Sequence, residues 1–433
     1  MWKRIISVLT VTALLFSLTA CAASKKEESA GSKEKVTKLS ALIWYQDEGR
    51  KAIYDSYLKK YKDELPNVEI EFELCSSQDE WTSKIAAYSA ANELPDIIYS
   101  STPDAYNMIN ANRLVDLLPY IKEDGFIDKY TTTSSIEPFE STGGTYFLNG
   151  GQDYNFGPAL FYHPEMFKNL GVEVPTTWDE LVEVCAKIKE AGVTPISVAG
   201  DNSFAYFLAE AVFQAVDPTI LNDIMTNTRD WSDPSVLESV EYLAKMVDYG
   251  FFREDASVVD YSKAITDFGE GKTAMMFAGT WEISTLKGMT KDLDIMNFVT
   301  INPKYPQGYA AQYWGSRQGG YGVAAKENID VAVKVAEYFA TCDARYYSEQ
   351  CGYPVLFDTG IDYELDSLMK KNVDRLAAAT VTTPTITSNN MSSECANEYA
   401  LALNEILSGT KTPEDFVARM NEIWKDNFKN IIY

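Results

Sequence analysis

A single histidine, His163, occurs in the 433 residues, and no cysteine clusters with it, so a zinc site or a histidine-based triad is poorly supported. There is no CxxC, no HExxH and no GxxxxGK[ST] loop, so zinc chemistry and nucleotide hydrolysis are disfavoured. His163 directly precedes a helix signal at Pro164 and is expected to cap it or sit on the surface. What the chain does offer is aromatic rings next to carboxylate, amide and hydroxyl groups where apolar runs end. Trp281 and Glu282 follow Gly279-Thr280; Tyr45, Gln46, Asp47 and Glu48 follow one run, and Ser100, Ser101 and Asp104 another. Flat rings supply a stacking platform, and polar groups around them orient hydrogen bonds. This is equipment for gripping a ligand with an apolar face and a girdle of hydroxyls.

The elements that carry these groups read as a parallel α/β layer. Leu39–Trp44 is an apolar run with Trp44 expected in the core, and a helix over 49–65 places Ile53, Tyr54, Tyr57, Leu58 and Tyr61 on one stripe. Val68, Ile70, Phe72 and Leu74 then alternate with glutamates, as in a strand with one wet face. A helix over Gln78–Asn92 and a short strand at 95–100 follow. In such sheets ligands gather beyond the carboxyl ends of strands, which singles out 45–48 and 100–104. Trp81, in the first turn of its helix, is read first as packing, with roofing of a cleft as the alternative. Further on, Thr177-Trp178-Asp179-Glu180 is a capping box with Leu181, Val184, Cys185 and Ile188 as the buried stripe, and Trp178 is assigned to packing. Asp233-Pro234 and Thr412-Pro413 open two more helices, so the last third is mainly helical.

The first residues give an address. Lys3 and Arg4 precede an apolar run from Ile5 to Leu18, too short to span a membrane, as in an export signal. Leu18-Thr19-Ala20-Cys21 resembles the lipobox of bacterial lipoproteins, which implies lipidation of Cys21 and anchoring to the membrane by the attached acyl chains. Residues 22–38 are small and charged and are expected to be a flexible tether. The remaining 395 residues exceed one core of ordinary size, so two lobes are expected. The net charge of −25, or −27 once Lys3 and Arg4 leave with the signal, repels nucleic acid and anionic lipid. Five scattered cysteines besides Cys21 argue against a disulfide framework, with a Cys342–Cys351 pair left open.

Separated segments, in order, resemble the extracellular solute-binding proteins of ABC importers, in particular the carbohydrate-binding type. They are Asp47-Glu48-Gly49, Leu94 to Ile98, Phe167 to Leu181 (FKNLGVEVPTTWDEL) with Ala191 to Ile196, Phe268 to Trp281 (FGEGKTAMMFAGTW) and Gly319-Gly320-Tyr321-Gly322. The resemblance implies a two-lobed, periplasmic-binding-protein-like α/β fold of type II, like maltose-binding protein, with a hinge and an interlobe ligand cleft. The first lobe would hold 39–150 plus 316–343, and the second 151–315 plus 344–433. The resemblance strengthens Trp281 as a stacking residue, and adds Tyr154 or Asn155 at the first crossover, Asn202 and Phe204 before a helix, and Trp314 with Arg317 at the next crossing. Glycines at 150, 151 and 157 would permit the bend. It further implies a monomer without cofactor or metal, tethered to the outer face of the membrane of a Gram-positive cell. Such a protein captures a carbohydrate, in the first instance an oligosaccharide, and delivers it to ABC permease subunits. Two other readings stay open. One is a surface glycosidase, whose two carboxylates stand about 5 to 9.5 Å apart. The other is a binding protein for a polyol, a phosphorylated compound or a peptide, against which the scarcity of basic residues, chiefly Arg317, argues for phosphate.

Overall fold

The computed structural model describes residues 36–45, 48–100, 104–131, 136, 138, 142–150, 157–200, 205–313, 319–385 and 391–427. Two sheets organise them. The first has five strands in the order β2-β1-β3-β10-β4: β1 Thr37–Trp44, β2 Val68–Cys75, β3 Ile97–Ser100, β4 Phe147–Leu148 and β10 Gly320–Val323. The strands expected from periodicity lie parallel, with Leu39 beside Ile70 and Ala41 beside Ile97, while β10 returns antiparallel to β3. Asp96 fixes the entry to β3 by accepting from the backbone N–H and hydroxyl of Ser40, both at 2.8 Å.

The second sheet has the order β6-β7-β5-β8: β5 Pro158–Tyr162, β6 Thr194–Ser197, β7 Thr273–Gly279 and β8 Asp294–Met296. Beside it lies a two-stranded ribbon, β9 Ala310–Tyr313 with β11 Val381–Pro384. Helices cover both sheets: α1 Glu48–Ser56 and α2 Gln78–Ala91 accompany the first, and α3 Trp178–Glu190, α4 Tyr206–Val216, α5 Pro234–Asp248 and α6 Ile283–Met289 the second. The long α7, Ile329–Arg345, leads from β10 into a π-helical turn, Tyr346–Gln350, and α8 Ser367–Ala378, α9 Ser393–Leu407 and α10 Pro413–Asn427 follow.

The hydrophobic core follows from this layout. One cluster joins Leu39, Ile97 and Leu148 of the first sheet to Phe161 and Met276 of the second through Val335, Phe339 and Tyr353. A second cluster, with Trp231, Tyr399, Phe416 and Trp424, belongs to the second sheet's helices. The capping box at α3 forms, with the Thr177 hydroxyl accepting from the Glu180 N–H at 3.3 Å, and Trp178 packs edge-on against Tyr242 at 4.7 Å.

Several expectations need correction. The strand begins at Thr37 rather than Leu39, because ladder pairing with Val68 needs only backbone groups and Lys38 adds an ion pair with Glu69 at 3.3 Å. The helix expected over 49–65 stops at Ser56 and resumes as a 3₁₀ turn, Leu58–Asp63, because Tyr57 leaves helical backbone angles. Cys342 and Cys351 are both free. His163 precedes its helix but neither caps it nor reaches the surface. It is buried against Phe268, and its ring nitrogens bond the Asp292 and Phe268 carbonyls.

Candidate functional site

The first rim lies at the carboxyl end of the parallel strands. Register places Trp44 beside Cys75 and, counted on from Ala41 beside Ile97, at the level of Ser100. Tyr45 continues the strand by donating its N–H to the Cys75 carbonyl at 2.8 Å, and its half-buried ring meets Tyr54 edge-on at 5.7 Å. Trp81 is 1% exposed and donates its indole N–H to the Tyr99 carbonyl at 3.1 Å, with Trp44 5.7 Å away. Ser100 is 0% exposed and pairs with Gly320. In this conformation neither Trp81 nor Ser100 offers a surface to a ligand; both shape the rim from beneath. Gln46, Asp47 and Ser101 lie outside the described residues, as do the side chains of Glu48 and Asp104.

Below this rim sits a group of charges that sequence reasoning missed. The Arg50 guanidinium donates from Nη1 to Asp343 at 2.6 Å and from Nη2 to the Tyr99 hydroxyl, and it lies 4.1 Å from the centre of the Tyr99 ring. Tyr321 donates to the other oxygen of Asp343 at 2.8 Å. Burial works against the Arg50 charge, but Asp343 and the surrounding tyrosines outweigh it and hold the guanidinium well above its ordinary pKa. A signal was available: Arg50 stands three and four residues before Ile53 and Tyr54, and Asp343 three after Ala340, so each places a charge on its helix's buried stripe.

The second rim starts at Gly279, where β7 ends level with Pro158. The Trp281 indole folds back over Gly279 so closely that a Cβ there would lie 2.2 Å from its Cζ2 atom. The indole is half-buried and meets Phe207 at 5.9 Å. Its carbonyl accepts from the Tyr353 hydroxyl at 3.3 Å, and the same hydroxyl accepts from the Ser284 N–H at 2.8 Å. Glu282 is 6% exposed, so its carboxylate is an internal group here rather than an open acceptor.

Between the rims the chain crosses repeatedly. The crossings are packed backbone to backbone: a Cβ on Gly150 would lie 2.5 Å from the Ala344 nitrogen, and one on Gly157 2.3 Å from the Gln312 carbonyl oxygen. Neither glycine has a positive φ, so close approach rather than bending requires them. The Asn149 side chain reaches the Gly319 carbonyl at 3.3 Å. A crevice of about 520 Å³, open mouth included, lies beside the second crossing, with Pro158, Gln214, Phe277, Tyr309, Gln312 and Arg375 in its lining. The Gln312 amide is buried, and both of its polar atoms lack a hydrogen-bond partner among the described residues. Arg375 donates to the Pro158 carbonyl at 2.9 Å, and burial pulls its pKa down to about 10. Tyr154, Asn155, Asn202, Phe204, Trp314 and Arg317 lie outside the described residues, as does Cys21. Among the described residues no group of acidic, histidine or cysteine side chains is arranged to hold a metal, and no helix is long and apolar enough to cross a membrane.

Residues 46–345 match the sequence model of the family described as bacterial extracellular solute-binding protein. An uncharacterised ABC transporter extracellular-binding protein of Pyrococcus horikoshii is 25% identical over 292 residues, and the match spans 64% of each chain, less than two thirds of the relative's length. The multiple sugar-binding protein of Streptococcus mutans is 24% identical over 373 residues, covering 82% of this chain and 83% of its own. The solved structure of a chitin oligosaccharide binding protein superposes with a TM-score of 0.76 at 22% identity, over 90% of this chain and 98% of that one. Likeness at that identity establishes the two-lobed α/β fold.

Proposed function

We propose, on the premise that the chain belongs to the bacterial extracellular solute-binding proteins, that it captures a carbohydrate between its two lobes for an ABC importer. The observation that carries the reading is Trp281, half-buried, with its indole folded back over Gly279 at a strand end. It is a preformed platform of the kind a sugar's C–H face requires. The unmatched Gln312 amide, two residues before Trp314, supplies a buried donor and acceptor suited to hydroxyls. A relative named for sugars and a structural neighbour named for an oligosaccharide favour the same class, and an oligosaccharide is the preferred cargo.

The first lobe in this reading is 39–150 plus 316–343, its opening strand reaching back to Thr37, and the second is 151–315 plus 344–433. The expected contacts are Trp281 together with Gln46, Asp47, Glu48, Ser101, Asp104, Tyr154, Asn155, Asn202, Phe204, Trp314 and Arg317, with Tyr45 at the edge. Binding would select the closed arrangement, and a membrane permease would accept only that arrangement. Cys21 would carry the lipid that keeps the protein at the outer face of the membrane, and no bond in the cargo would be broken.

A thermal-shift screen of the full chain against mono- and oligosaccharides, polyols, amino acids and phosphorylated compounds tests this, followed by chromatography of each sugar. At about 100 times its dissociation constant a ligand adds about 2.7 kcal/mol and raises the melting temperature. A sugar that shifts the transition and is recovered intact is the expected result. Cleavage of the sugar would establish a glycosidase, and a shift by non-sugars alone would remove the carbohydrate assignment.

A further inference from the structure

Two hydrogen-bonded anchors stand ten residues apart on one stretch of chain. Asp343, in the last turn of α7, holds Arg50, and Arg50 holds Tyr99 at the end of β3. Tyr353, just past the π-helical turn Tyr346–Gln350, holds Trp281 and Ser284 at the end of β7. Between them Tyr347 stacks on Tyr353 at 5.8 Å and 16°. Asp343, Tyr347 and Tyr353 are all buried, and Ala344 between them abuts Gly150 of another crossing.

We propose that this stretch is a relay that keeps the Trp281 platform in register with the first-sheet rim, so that Arg50, Asp343 and Tyr353 are positioning residues for ligand capture without touching the ligand. Three physical features support it. A π-helical turn inserted after α7 is a recurrent device at functional sites, because it offsets the side chains that follow it. A buried ion pair tied to two tyrosine hydroxyls has one favoured geometry and transmits displacement instead of absorbing it. A side chain that braces the Trp281 carbonyl, the Tyr353 hydroxyl, comes from this stretch and not from the second sheet itself. The relay rests on the ligand reading for its purpose, but its existence can be measured without a ligand.

The experiment is hydrogen exchange on the full chain carrying Asp343→Asn or Tyr353→Phe, two near-isosteric changes that leave the ring stack in place. If the relay holds, Asp343→Asn speeds exchange about fivefold or more in the peptide spanning Trp281–Ser284, and Tyr353→Phe does so around Tyr99–Ser100, with β6 unchanged as the control. Exchange that rises only next to the altered residue overturns the proposal, since two independent supports would behave that way. Affinity for the sugar found in the screen gives a second reading. Each variant weakens binding severalfold, and the double variant falls short of the product of the two by at least threefold. Effects that simply multiply also overturn the relay. Absence of sugar binding by the unaltered protein would sink the carbohydrate reading while leaving the exchange result to decide the relay. Should Asp343→Asn fail to fold, Tyr353→Phe alone, read at Tyr99–Ser100, still decides it.

Discussion

The two rims are built from opposite materials. On the first, a charge locks the strand ends: Arg50 binds Asp343 at 2.6 Å in the interior, and the hydroxyls of Tyr99 and Tyr321 bond to the pair. On the second, shape does the work, with an indole laid on a glycine and edged by Phe207. A charge lock tolerates little change in chemistry, because removing one partner strands the other in a low dielectric. A shape lock tolerates chemical change and fails on volume.

That contrast can be broken most severely at Asp343. Replacing it with alanine removes the carboxylate to which both Arg50 and Tyr321 donate and is expected to cost about 3–5 kcal/mol, read as a fall in the denaturant midpoint at unchanged slope. A loss under 1 kcal/mol would show that water replaces the partner and that the charge lock is nominal.

A milder test of buried charge lies at Glu337 of α7, beside Lys334 and Asp124. Burial, with Asp124 adding to it, raises the Glu337 carboxyl to about 7, from an ordinary 4.5, although Lys334 opposes the shift. The folded state therefore favours the protonated form. This carboxyl contributes stability that grows as pH falls from about 7 to about 4.5, and its charged form is a standing cost above that window. Glu337→Gln should raise the melting temperature at pH 8, by up to about 3 kcal/mol of stability, and leave it unchanged at pH 4.5. A variant that is less stable than the parent at pH 8 would refute the assignment.

On the second rim, Gly279→Ala inserts a methyl where the indole lies. The expected cost is about 1–3 kcal/mol of stability, with sugar affinity lowered roughly tenfold because the platform is displaced. If calorimetric titration finds affinity intact, Trp281 is not the platform. The smallest effect belongs to a site remote from both rims: Thr177→Ala removes the cap of α3 and should lower stability by about 1 kcal/mol without touching affinity.

What could be read from residues alone follows the range of the forces involved. The parallel opening of the first sheet, the α3 capping box and the helical last third rest on contacts within a few residues, and periodicity displays them. The pairing of Arg50 with Asp343 spans 293 positions and left only the odd signature of a charge on an apolar stripe. The packing of Gly150 against Ala344 was legible as a glycine but not as a close approach. Trp81, Ser100 and Glu282 share a further lesson: a position at a strand end marks a loop worth attention, yet the side chain there can serve as a support instead of a contact.

One of the two main hydrophobic clusters belongs to neither sheet alone, since Leu39 and Ile97 share it with Phe161 and Met276. Halves that share their interior cannot melt in sequence. A calorimetric scan should trace one peak whose van't Hoff and calorimetric enthalpies agree. Heat resistance is then a property of the pair, and a sugar gripped chiefly by one side would protect the other to the same degree.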